Sequence, residues 1–437
     1  MAYKAPTGTA DLLPEAAQKW TLIQEKANEV FSKYGYLLME TPSFEHLDVF
    51  ARGIGEATDV VGKEMFLVFS RQNLDELRGG GALAGDILAL RPEGTAGVAR
   101  SVVQHSLVSP GATALKVYYT GSMYRYERPQ KGRLREFHQI GVECIGAAEP
   151  TADAEVIEMM MRFFVGLGIP EASMQLKINS MGDEHCRPAY RAIIRDFILG
   201  HPELCEDCAR RADTNPLRAF DCKNERCQAV LNEAPKITDM LCEECLMHYQ
   251  SLKDLLGLSQ IEYIEDHRLV RGLDYYTRTV FEVQVTTGLG SQNAIGGGGR
   301  YDRLIEEYGG AATPGLGFAI GFERMTLVLD ELGAFPLFSP NLEVYIAAVD
   351  DSCRDAAYTT ASRLRLAGIS CDLDHQRRSL KSQFKAADKN GARWVLVIGP
   401  DELASDSVTL RAMETGVEAK LSNSELIDCI KQMKEEV

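Results

Sequence analysis

The sequence predicts an α/β (α+β) protein with a large domain built on an antiparallel sheet and a small C-terminal α/β domain. Three observations support this prediction. Two strand-like segments within residues 114–146 flank a short polar loop, residues 184–258 form a cysteine-rich stretch with helical patterning, and strand-like and helix-like segments alternate after residue 342. A chain of 437 residues is long enough for two or three domains of roughly 150 residues each.

The N-terminal half opens with a predicted helix over residues 15–34, where apolar residues recur at helical spacing between Pro14 and Gly35. The segments "ALKVYYTGSMYRYE" and "EFHQIGVECIG" alternate in polarity. This alternation predicts an antiparallel strand pair joined by the loop "RPQKGR". "DAEVIEMMMRFFVGLG" predicts a helix that ends at Gly166 or Gly168, and "MQLKINS" predicts a strand.

The second half returns to strands at "TRTVFEVQVTT", and "PGLGFAIGFERMTLVLDEL" predicts a strand that changes to a helix near Phe322. From "LEVYIAAV" to "RWVLVIG" the order strand–helix–strand–helix–strand predicts a small domain with parallel pairing. We therefore predict a main domain over residues 1–332, a helical insertion within it over 184–258, a linker over 333–341 and a C-terminal domain over 342–437.

The composition is that of an ordinary soluble protein, with 45% hydrophobic and 25% charged residues. The first residues lack the apolar core of a signal peptide, and no run approaches the roughly 18 apolar residues of a membrane span. We therefore expect a cytoplasmic protein without a membrane partner, in which the eleven cysteines are reduced thiols.

The net charge of −16 argues against a nucleic-acid partner only superficially, because the basic residues are clustered. One cluster occupies the loop between the paired strands, and a second lies near the C-terminus. The loop cluster comprises Arg125, Arg128, Lys131, Arg133 and Arg135, and the C-terminal cluster comprises Arg377, Arg378, Lys381, Lys385, Lys389 and Arg393. Either cluster alone could also be an ordinary solvated basic face.

The paired strands carry polar side chains on one face. Arg125 and Glu127 point together, and so do Gln139 and Glu143, because side chains two or four apart on a strand share a face. Such a face is costly to bury without a ligand, and it points to a binding site for anionic and polar substrates. The alternative is that this side of the sheet faces solvent.

Four further segments carry candidate site residues, each with an ordinary structural alternative. Glu93 and Thr95 of "PEGTAG" precede a predicted helix, where Thr95 could simply be a helix cap. Arg271 is followed by two aromatic residues, Tyr275 and Tyr276, which could be packing residues of a sheet. Arg324 lies in a first helical turn, suited to phosphate binding, but it could also be a surface residue. The glycines of "GGGGR" do not match the spacing of a dinucleotide-binding loop, so they either let a ligand approach or make a turn.

The cysteines suggest a zinc site. The two C-x-x-C pairs, Cys205 with Cys208 and Cys242 with Cys245, are the candidate ligands, with Cys222 and Cys227 between them. The gap between the pairs exceeds the usual zinc-ribbon spacing, and buried free cysteines are the rival interpretation.

Together these segments resemble the bacterial type of histidyl-tRNA synthetase, a family of class II aminoacyl-tRNA synthetases, over nearly the whole chain. "METPSFEHLDVF" resembles motif 1, "YRYERPQKGRLREFHQIGVE" resembles motif 2 and "GFAIGFERMTLVL" resembles motif 3. "LVRGLDYYTRTVFE" and "AIGGGGRYD" are similar to two histidine-specific signatures. The resemblance implies a class II catalytic domain, a homodimer built through motif 1, and an anticodon-binding C-terminal domain.

The resemblance also implies a role for each matching residue. Arg125 would bind the α-phosphate of ATP and Arg324 the γ-phosphate, while Arg271 would lie between the α-phosphate and the histidine carboxylate, partly replacing a metal ion. The remaining residues are implied by group: Glu127 and Arg133 for ATP, Glu93, Thr95, Gln139, Glu143, Tyr275, Tyr276 and Tyr301 for histidine, and Arg128, Gln130 and Arg135 for the tRNA acceptor end. Mg²⁺ would accompany ATP, whereas zinc is no general requirement of the family.

The implied activity is that of a histidine–tRNA ligase, which forms histidyl-adenylate from L-histidine and ATP and then charges histidine tRNA. A non-catalytic regulatory subunit of ATP phosphoribosyltransferase shares this core and is the alternative. Paralogues of that kind typically lack the C-terminal domain and have degraded catalytic arginines, whereas Arg125, Arg271 and Arg324 are all present here. A class II synthetase for another amino acid is opposed by the two histidine signatures.

Overall fold

The computed structural model describes residues 3–55, 58, 60–79, 86–109, 111–130, 132–286, 293–336 and 342–435. The chain divides into two compact units, Met1–Pro336 and Leu337–Val437. Lys131 of the basic loop and residues 337–341 of the expected linker lie outside the described ranges.

The regular elements follow the predicted order closely. The strands are β1 (Leu37–Leu38), β2 (Phe44–His46), β3 (Leu67–Val68), β4 (Leu88–Leu90), β5 (Leu115–Tyr124), β6 (Glu136–Ile145), β7 (Met174–Ser180), β8 (Ile264–Glu265), β9 (Thr277–Val285), β10 (Ala294–Arg300), β11 (Gly315–Gly321), β12 (Val344–Ala348), β13 (Cys371–Leu373), β14 (Trp394–Ile398), β15 (Ser407–Ala412) and β16 (Glu418–Ser422).

The helices are α1 (Pro14–Lys33), α2 (Leu47–Ile54), α3 (Arg71–Arg78), α4 (Thr95–His105), α5 (Pro150–Gly166), α6 (Arg187–Leu199), α7 (Glu206–Thr214), α8 (Glu225–Leu231), α9 (Glu243–Leu258), α10 (Leu304–Glu307), α11 (Phe322–Glu331), α12 (Arg354–Leu366), α13 (Leu380–Lys389), α14 (Pro400–Ala404) and α15 (Leu426–Glu435). Short 3₁₀ turns at Glu171–Ser173, Pro216–Asp221, Ile237–Asp239 and Asp351–Cys353 connect some of them.

An eight-stranded sheet in the order β1-β5-β6-β11-β10-β9-β7-β8 organises the first unit. The predicted β5–β6 pair is antiparallel, with Leu115 opposite Ile145 and Tyr124 opposite Glu136. The pairs β6–β11, β11–β10, β10–β9 and β9–β7 are also antiparallel, whereas β1 and β8 join the edges in parallel. The predicted antiparallel sheet is confirmed.

One face of this sheet is covered by α1 and α5. Ile140, Val142 and Cys144 of β6 face these helices and are almost fully buried with Phe31 and Phe163. Side chains on a strand alternate between its two faces, so the intervening Gln139 and Glu143 point to the opposite side of the sheet. The burial of one face therefore decides which residues of β6 reach the functional side.

The predicted helical insertion consists of α6, α7, α8 and α9 with two intervening 3₁₀ turns. Its apolar residues Tyr190, Ile194, Cys208, Ala212 and Leu231 join a second core on the sheet side opposite α1 and α5. The helices α6, α7 and α8 therefore pack beside the polar face of β6, whereas α9 packs against α5 in the first core.

A buried ion pair connects distant parts of the first unit. Arg300, at the end of β10, donates through Nη2 to Asp153 of α5 at 2.5 Å, and both side chains have almost no exposure. Arg300 also donates to the backbone oxygens of Ala147 and Glu149, while His248 of α9 lies 3.3 Å from Asp153. Full pairing of both charges offsets the high cost of removing them from water.

The C-terminal unit contains a five-stranded sheet in the order β13-β12-β14-β15-β16. Parallel pairing was predicted and is found for β12 with β13 and with β14. The expectation of parallel pairing was incomplete, because β15 and β16 add an antiparallel hairpin to the sheet. A hairpin needs only a short turn, whereas the parallel strands are joined through helices α12 and α13.

In the ranges that the structure describes, none of the helices is both long enough and apolar enough to cross a bilayer.

Candidate active site

A cavity of about 530 Å³ opens on the polar face of the eight-stranded sheet. It contains all the residues predicted for ATP and histidine: Arg125, Glu127, Arg133, Arg271, Arg324, Glu93, Thr95, Gln139, Glu143, Tyr275, Tyr276 and Tyr301. These residues come from six separate stretches of the chain, and the sheet brings them together.

Glycines form the floor of the cavity. In the β6–β11–β10 pairing, Glu143 lies opposite Gly317, which lies opposite Gly299, and Gly141, Ala319 and Gly297 form the next row. A Cβ added at Gly297 would lie 2.9 Å from Nη1 of Arg271, and one at Gly299 would lie 2.9 Å from the ring of Tyr276. The "GGGGR" glycines therefore lie in a strand rather than a turn, and they keep space above the sheet free.

Glu143 is the centre of a buried hydrogen-bond network at one end of the cavity. Thr95 donates to its Oε1 at 2.7 Å, Tyr119 donates to the same oxygen at 3.4 Å, and Tyr301 donates to Oε2. Burial raises the pKa of Glu143 to about 8, although the hydrogen bonds from Tyr301 and Thr95 favour its ionised form. The carboxyl group can therefore change its protonation state near neutral pH.

Aromatic side chains enclose this end of the cavity. The rings of Tyr275 and Tyr276 lie 4.7 Å apart, and Tyr275 meets Tyr301 edge-to-face at 5.7 Å. Tyr275 and Tyr276 precede β9 rather than lying within it, so they are cavity residues and not ordinary packing residues of a strand. A flat polar ring would fit between these aromatic and carboxylate groups.

Thr95 is not the cap of α4, which corrects the simple structural interpretation of this residue. The N-cap is Gly94, and the carboxylate of Glu93 accepts the backbone N–H groups of Thr95 and Ala96 at 2.7 and 2.8 Å. The Thr95 hydroxyl is thereby left to bond Glu143. Burial raises the pKa of Glu93 above its ordinary value, while these backbone bonds oppose the shift.

Gln139 provides an unsatisfied acceptor in the cavity wall. Its Oε1 is buried and has no hydrogen-bond partner among the described residues. A buried polar atom without a partner carries a desolvation cost, which a ligand donor would remove. Gln139 is therefore suited to accept a hydrogen bond from an ammonium or amide group of a ligand.

Three arginines from different elements face the cavity. Arg271 is held by Glu282, with Nη1 to Oε2 at 2.9 Å, and its buried Nε has no partner in the described part of the chain. Arg125 donates to the backbone oxygen of Pro92 at 2.9 Å. Arg324, in the first turn of α11, donates to the backbone oxygen of Ala294 at 3.0 Å.

Burial and the nearby Arg133 lower the pKa of Arg324 below its ordinary value, although an arginine remains charged near neutral pH. Arginines that face a cavity favour an anionic ligand, because the guanidinium group matches carboxylate and phosphate oxygens.

The loop after Arg125 has one part in the cavity and one part outside it. Glu127 and Arg133 form an ion pair in the cavity lining. Arg128 and Gln130 are exposed and are not part of the lining, and Arg135 stacks on Tyr126 with its guanidinium 3.8 Å from the ring centre. The three residues predicted to contact tRNA are thus near the cavity but outside it.

Several cavity residues were missed from the sequence. Arg218 forms an ion pair with Asp221 at 2.8 Å and lies 3.4 Å from the backbone oxygen of Arg271. Nothing in the local sequence of the 3₁₀ turn Pro216–Asp221 marks these residues. Glu282 could have been found, because strand alternation places it on the same face as Gln284 and away from the buried Phe281 and Val283.

The cysteines form two groups, so the four predicted zinc ligands do not form one site. Cys205 and Cys208 lie with Cys222 and Cys227, whereas Cys242 and Cys245 lie with Asp183 and Cys186. Within each group all candidate ligand atoms lie within 4.8 Å of one another. The fold places one C-x-x-C pair beside Cys222 and Cys227 and the other beside Asp183 and Cys186.

Comparison with known proteins gives the family. The family model described as "Histidyl-tRNA synthetase" matches residues 8–325. A histidine–tRNA ligase of Anaeromyxobacter sp. (strain K) is 44% identical over 98% of this chain and 99% of the relative. The chain belongs to the histidyl-tRNA synthetase family. This confirms the resemblance recognised in the sequence motifs.

Two further similarities extend across the whole chain. The histidine–tRNA ligase of Caldanaerobacter subterraneus subsp. tengcongensis is 42% identical over 99% of this chain and 100% of the relative. The crystal structure of the apo histidyl-tRNA synthetase of S. aureus has a TM-score of 0.81 and 35% identity, covering 98% of this chain and 100% of that one. A second family model, described as "Anticodon binding domain", matches residues 343–433 of this synthetase.

Proposed function

We infer that this chain is a histidine–tRNA ligase, which activates L-histidine with ATP and then transfers histidine to the 3′-terminal ribose of its tRNA. The observation that carries this conclusion is the pairing, in one cavity, of three arginines with the buried Glu143 network. The arginines suit a triphosphate, and the network suits an imidazole. The alternative, a non-catalytic regulatory subunit of ATP phosphoribosyltransferase, is less well supported, since relatives similar over their full length are ligases.

The arginines act on the first reaction step. The histidine carboxylate attacks the α-phosphorus of ATP and pyrophosphate leaves, so two anions must approach one another. Arg125 would bind the α-phosphate, Arg324 the γ-phosphate, and Arg271 would bridge the α-phosphate and the carboxylate. Fixed cations offset the repulsion and stabilise charge that spreads in the transition state. The Glu282 contact holds Arg271 in place before the ligands bind.

On the adenine side of ATP we place Glu127, which is fixed by its ion pair with Arg133. Arg133 lines the same cavity, and we assign it a contact with the phosphates of ATP.

Histidine selection rests on the Glu143 end of the cavity. Glu143 would accept a hydrogen bond from one ring nitrogen and Tyr276 would meet the other, while Tyr275 and Tyr301 line the pocket. Glu93, Thr95 and Gln139 would hold the α-amino group, consistent with the unpartnered Oε1 of Gln139. A side chain without ring nitrogens would leave buried polar groups unpaired, which gives strong discrimination.

Magnesium would enter this site with ATP. Mg²⁺ prefers oxygen ligands and usually binds through substrate phosphates together with one or two carboxylates. The cavity carboxylates Glu282 and Glu323 already accept hydrogen bonds from Arg271 and from His138, respectively. The chain therefore supplies the positive charge that faces the phosphates mainly through arginines. Glu282 and Glu323 are the candidate contacts of an ATP-bound Mg²⁺.

The second step requires tRNA. Arg128, Gln130 and Arg135, on the loop outside the cavity, would meet the acceptor end of the tRNA, and residues 342–437 would bind the anticodon. Transfer to a ribose hydroxyl depends mainly on positioning the reactants. We further propose a homodimer built through residues 39–50, the segment similar to motif 1, and a cytoplasmic location, where the free thiols would stay reduced.

The test is ATP–pyrophosphate exchange with each of the twenty amino acids, followed by charging of histidine tRNA. We expect exchange with histidine alone and charging of that tRNA. Exchange with no amino acid would favour the regulatory subunit. Exchange with a different amino acid would overturn the assignment of Glu143 and Tyr276.

A further inference from the structure

Four cysteines of the insertion converge around a single point. Cys205 precedes α7, Cys208 lies in its first turn, Cys222 follows the 3₁₀ turn Pro216–Asp221, and Cys227 lies in α8. Their sulfur atoms all lie within 4.8 Å of one another, and none forms a disulfide. We call these residues the four-cysteine group.

The spacing of these sulfur atoms suits tetrahedral coordination. A zinc–sulfur bond of about 2.3 Å in a tetrahedron places neighbouring sulfur atoms about 3.8 Å apart. The sulfur atoms of Cys205 and Cys222 lie 3.7 Å apart. The backbone N–H of Cys205 also donates to the sulfur of Cys227 at 3.2 Å. Hydrogen bonds of this kind hold thiolate ligands in place around a metal.

The elements that carry the four-cysteine group are short. The helices α7 and α8 contain 9 and 7 residues, and the 3₁₀ turn between them contains 6. Helices of this length are unstable in isolation, and small units of this kind are often held by a metal or by disulfides. Four thiols from three such elements meet at one point, which packing of separate free cysteines does not explain.

The second cysteine group consists of Cys186, Cys242 and Cys245 with Asp183, and hydrogen bonds to this carboxylate account for its thiols. Cys186 donates to Asp183 at 3.5 Å and Cys242 lies 3.8 Å from both oxygens of Asp183, so this carboxylate already satisfies the thiols. Arg278 also approaches Asp183, at 3.7 Å. Hydrogen bonding within the protein therefore accounts for this group, and it serves as an internal comparison.

The four-cysteine group adjoins the wall of the active-site cavity. Cys222 lies between Asp221 and Lys223, which both line the cavity, and Arg218 of the same turn approaches Arg271. We propose that the four-cysteine group binds one zinc ion, which joins α7, α8 and the turn between them and fixes the cavity wall beside Arg271. The ion is structural, because all four positions are taken by protein ligands and no position is left for a substrate.

Metal analysis of the full-length protein tests the first half of the proposal. Wild-type protein purified with a reductant and without added zinc should contain zinc. The variants Cys222→Ser and Cys208→Ser should each contain about one zinc ion per chain less than the wild type. The control Cys429→Ser changes a half-buried cysteine of the C-terminal unit and should retain the full zinc content. The matched variant Cys242→Ser should also retain the ion of the four-cysteine group.

X-ray absorption at the zinc edge of the wild-type protein keeps the test decisive if a variant fails to fold. Four sulfur neighbours at about 2.3 Å are expected. Wild-type protein without zinc, or zinc with nitrogen or oxygen neighbours, would overturn the proposal. Undiminished zinc in a folded Cys222→Ser variant would do the same.

The second half concerns the cavity wall. Removal of zinc with a chelator should speed proteolysis within residues 205–231 and raise the KM for ATP or histidine at least several-fold, and added Zn²⁺ should reverse both effects. Unchanged proteolysis and KM after verified zinc loss would refute the structural role. The metal content and the proteolysis are independent of the proposed enzymatic activity, so their outcome is separable from it.

Discussion

Replacement of Tyr301 by phenylalanine tests the proposed recognition of the imidazole ring. The Tyr301 hydroxyl is fully buried and donates to Oε2 of Glu143. A hydrogen bond to a charged group contributes about 1.5–3 kcal/mol, and each 1.4 kcal/mol changes an equilibrium constant about tenfold. The variant should therefore raise the KM for histidine about 10- to 100-fold, because the carboxylate that meets the ring is less stable in its ionised form.

The effect should be confined to histidine. We expect the KM for ATP to change by less than about twofold, because the three arginines are untouched. A matched control is Tyr308→Phe, which removes a hydroxyl that donates to the backbone oxygen of Val49 at 2.6 Å, outside the active-site cavity. ATP–pyrophosphate exchange at varied histidine and ATP measures both constants. An unchanged KM for histidine, or equal increases for both substrates, would refute the role given to Glu143.

The pH dependence supplies a second readout. Glu143, with a pKa of about 8, must ionise to accept the ring N–H, so the KM for histidine should fall as pH rises from about 7 to 8. Loss of the Tyr301 donor raises the pKa of Glu143 further, which should move this fall to higher pH. A profile that does not move would show that Glu143 is not the titrating group.

The same carboxyl group affects stability. Between its unfolded pKa of 4.5 and its folded pKa of about 8, the native state holds a proton that the unfolded chain has lost. The free energy of unfolding should therefore fall as pH rises through this window, relative to that of Glu143→Gln. Denaturant unfolding of both proteins at several pH values measures the difference between their free energies of unfolding. A difference that stays constant across this pH window would show that the pKa of Glu143 is not raised in the folded state.

Three further outcomes follow from the arginines, the buried ion pair and the two units. Arg271→Ala should lower the rate of histidine-dependent exchange by ~10²-fold or more, because a transition-state contact is lost. The neighbouring control Arg268→Ala should stay within about twofold of the wild-type rate. Equal exchange rates for Arg271→Ala and the wild type would remove Arg271 from the mechanism. Asp153→Ala removes the buried carboxylate that pairs most closely with Arg300 and leaves Asp302, at 3.3 Å, as its remaining ion-pair partner. The variant should cost about 3–5 kcal/mol of unfolding free energy, against less than about 1 kcal/mol for Arg303→Ala in an exposed pair, as measured by denaturant titration. If Asp153→Ala lost no more unfolding free energy than Arg303→Ala, the buried ion pair would not stabilise the fold as argued above. A fragment of residues 1–336 should retain exchange activity but charge tRNA at least about tenfold more slowly, and equal charging would argue against a role for the second unit.

Much of the fold was predictable because local patterns and the final packing agree. Alternating polarity set β5 and β6 as strands, and helical spacing with Pro14 and Gly35 set the bounds of α1. The hairpin of β15 and β16 was missed, although "SVTLRA" and "EAKLS" alternate between polar and apolar residues and could have been recognised as strands. Motif similarity identified the family and the cavity residues, which local propensity alone left open between ordinary structural roles.

By itself, the sequence determined the element order, the family and the chemical types of the site residues, since these follow from residue identity and spacing. Only the tertiary structure decided which groups meet. It showed Glu93 rather than Thr95 bonding the start of α4, placed Arg218 and Asp221 in the cavity wall, and divided the cysteines into two groups. Such contacts join residues far apart in the chain, and their geometry depends on how the sheet and the insertion pack, which no local pattern encodes.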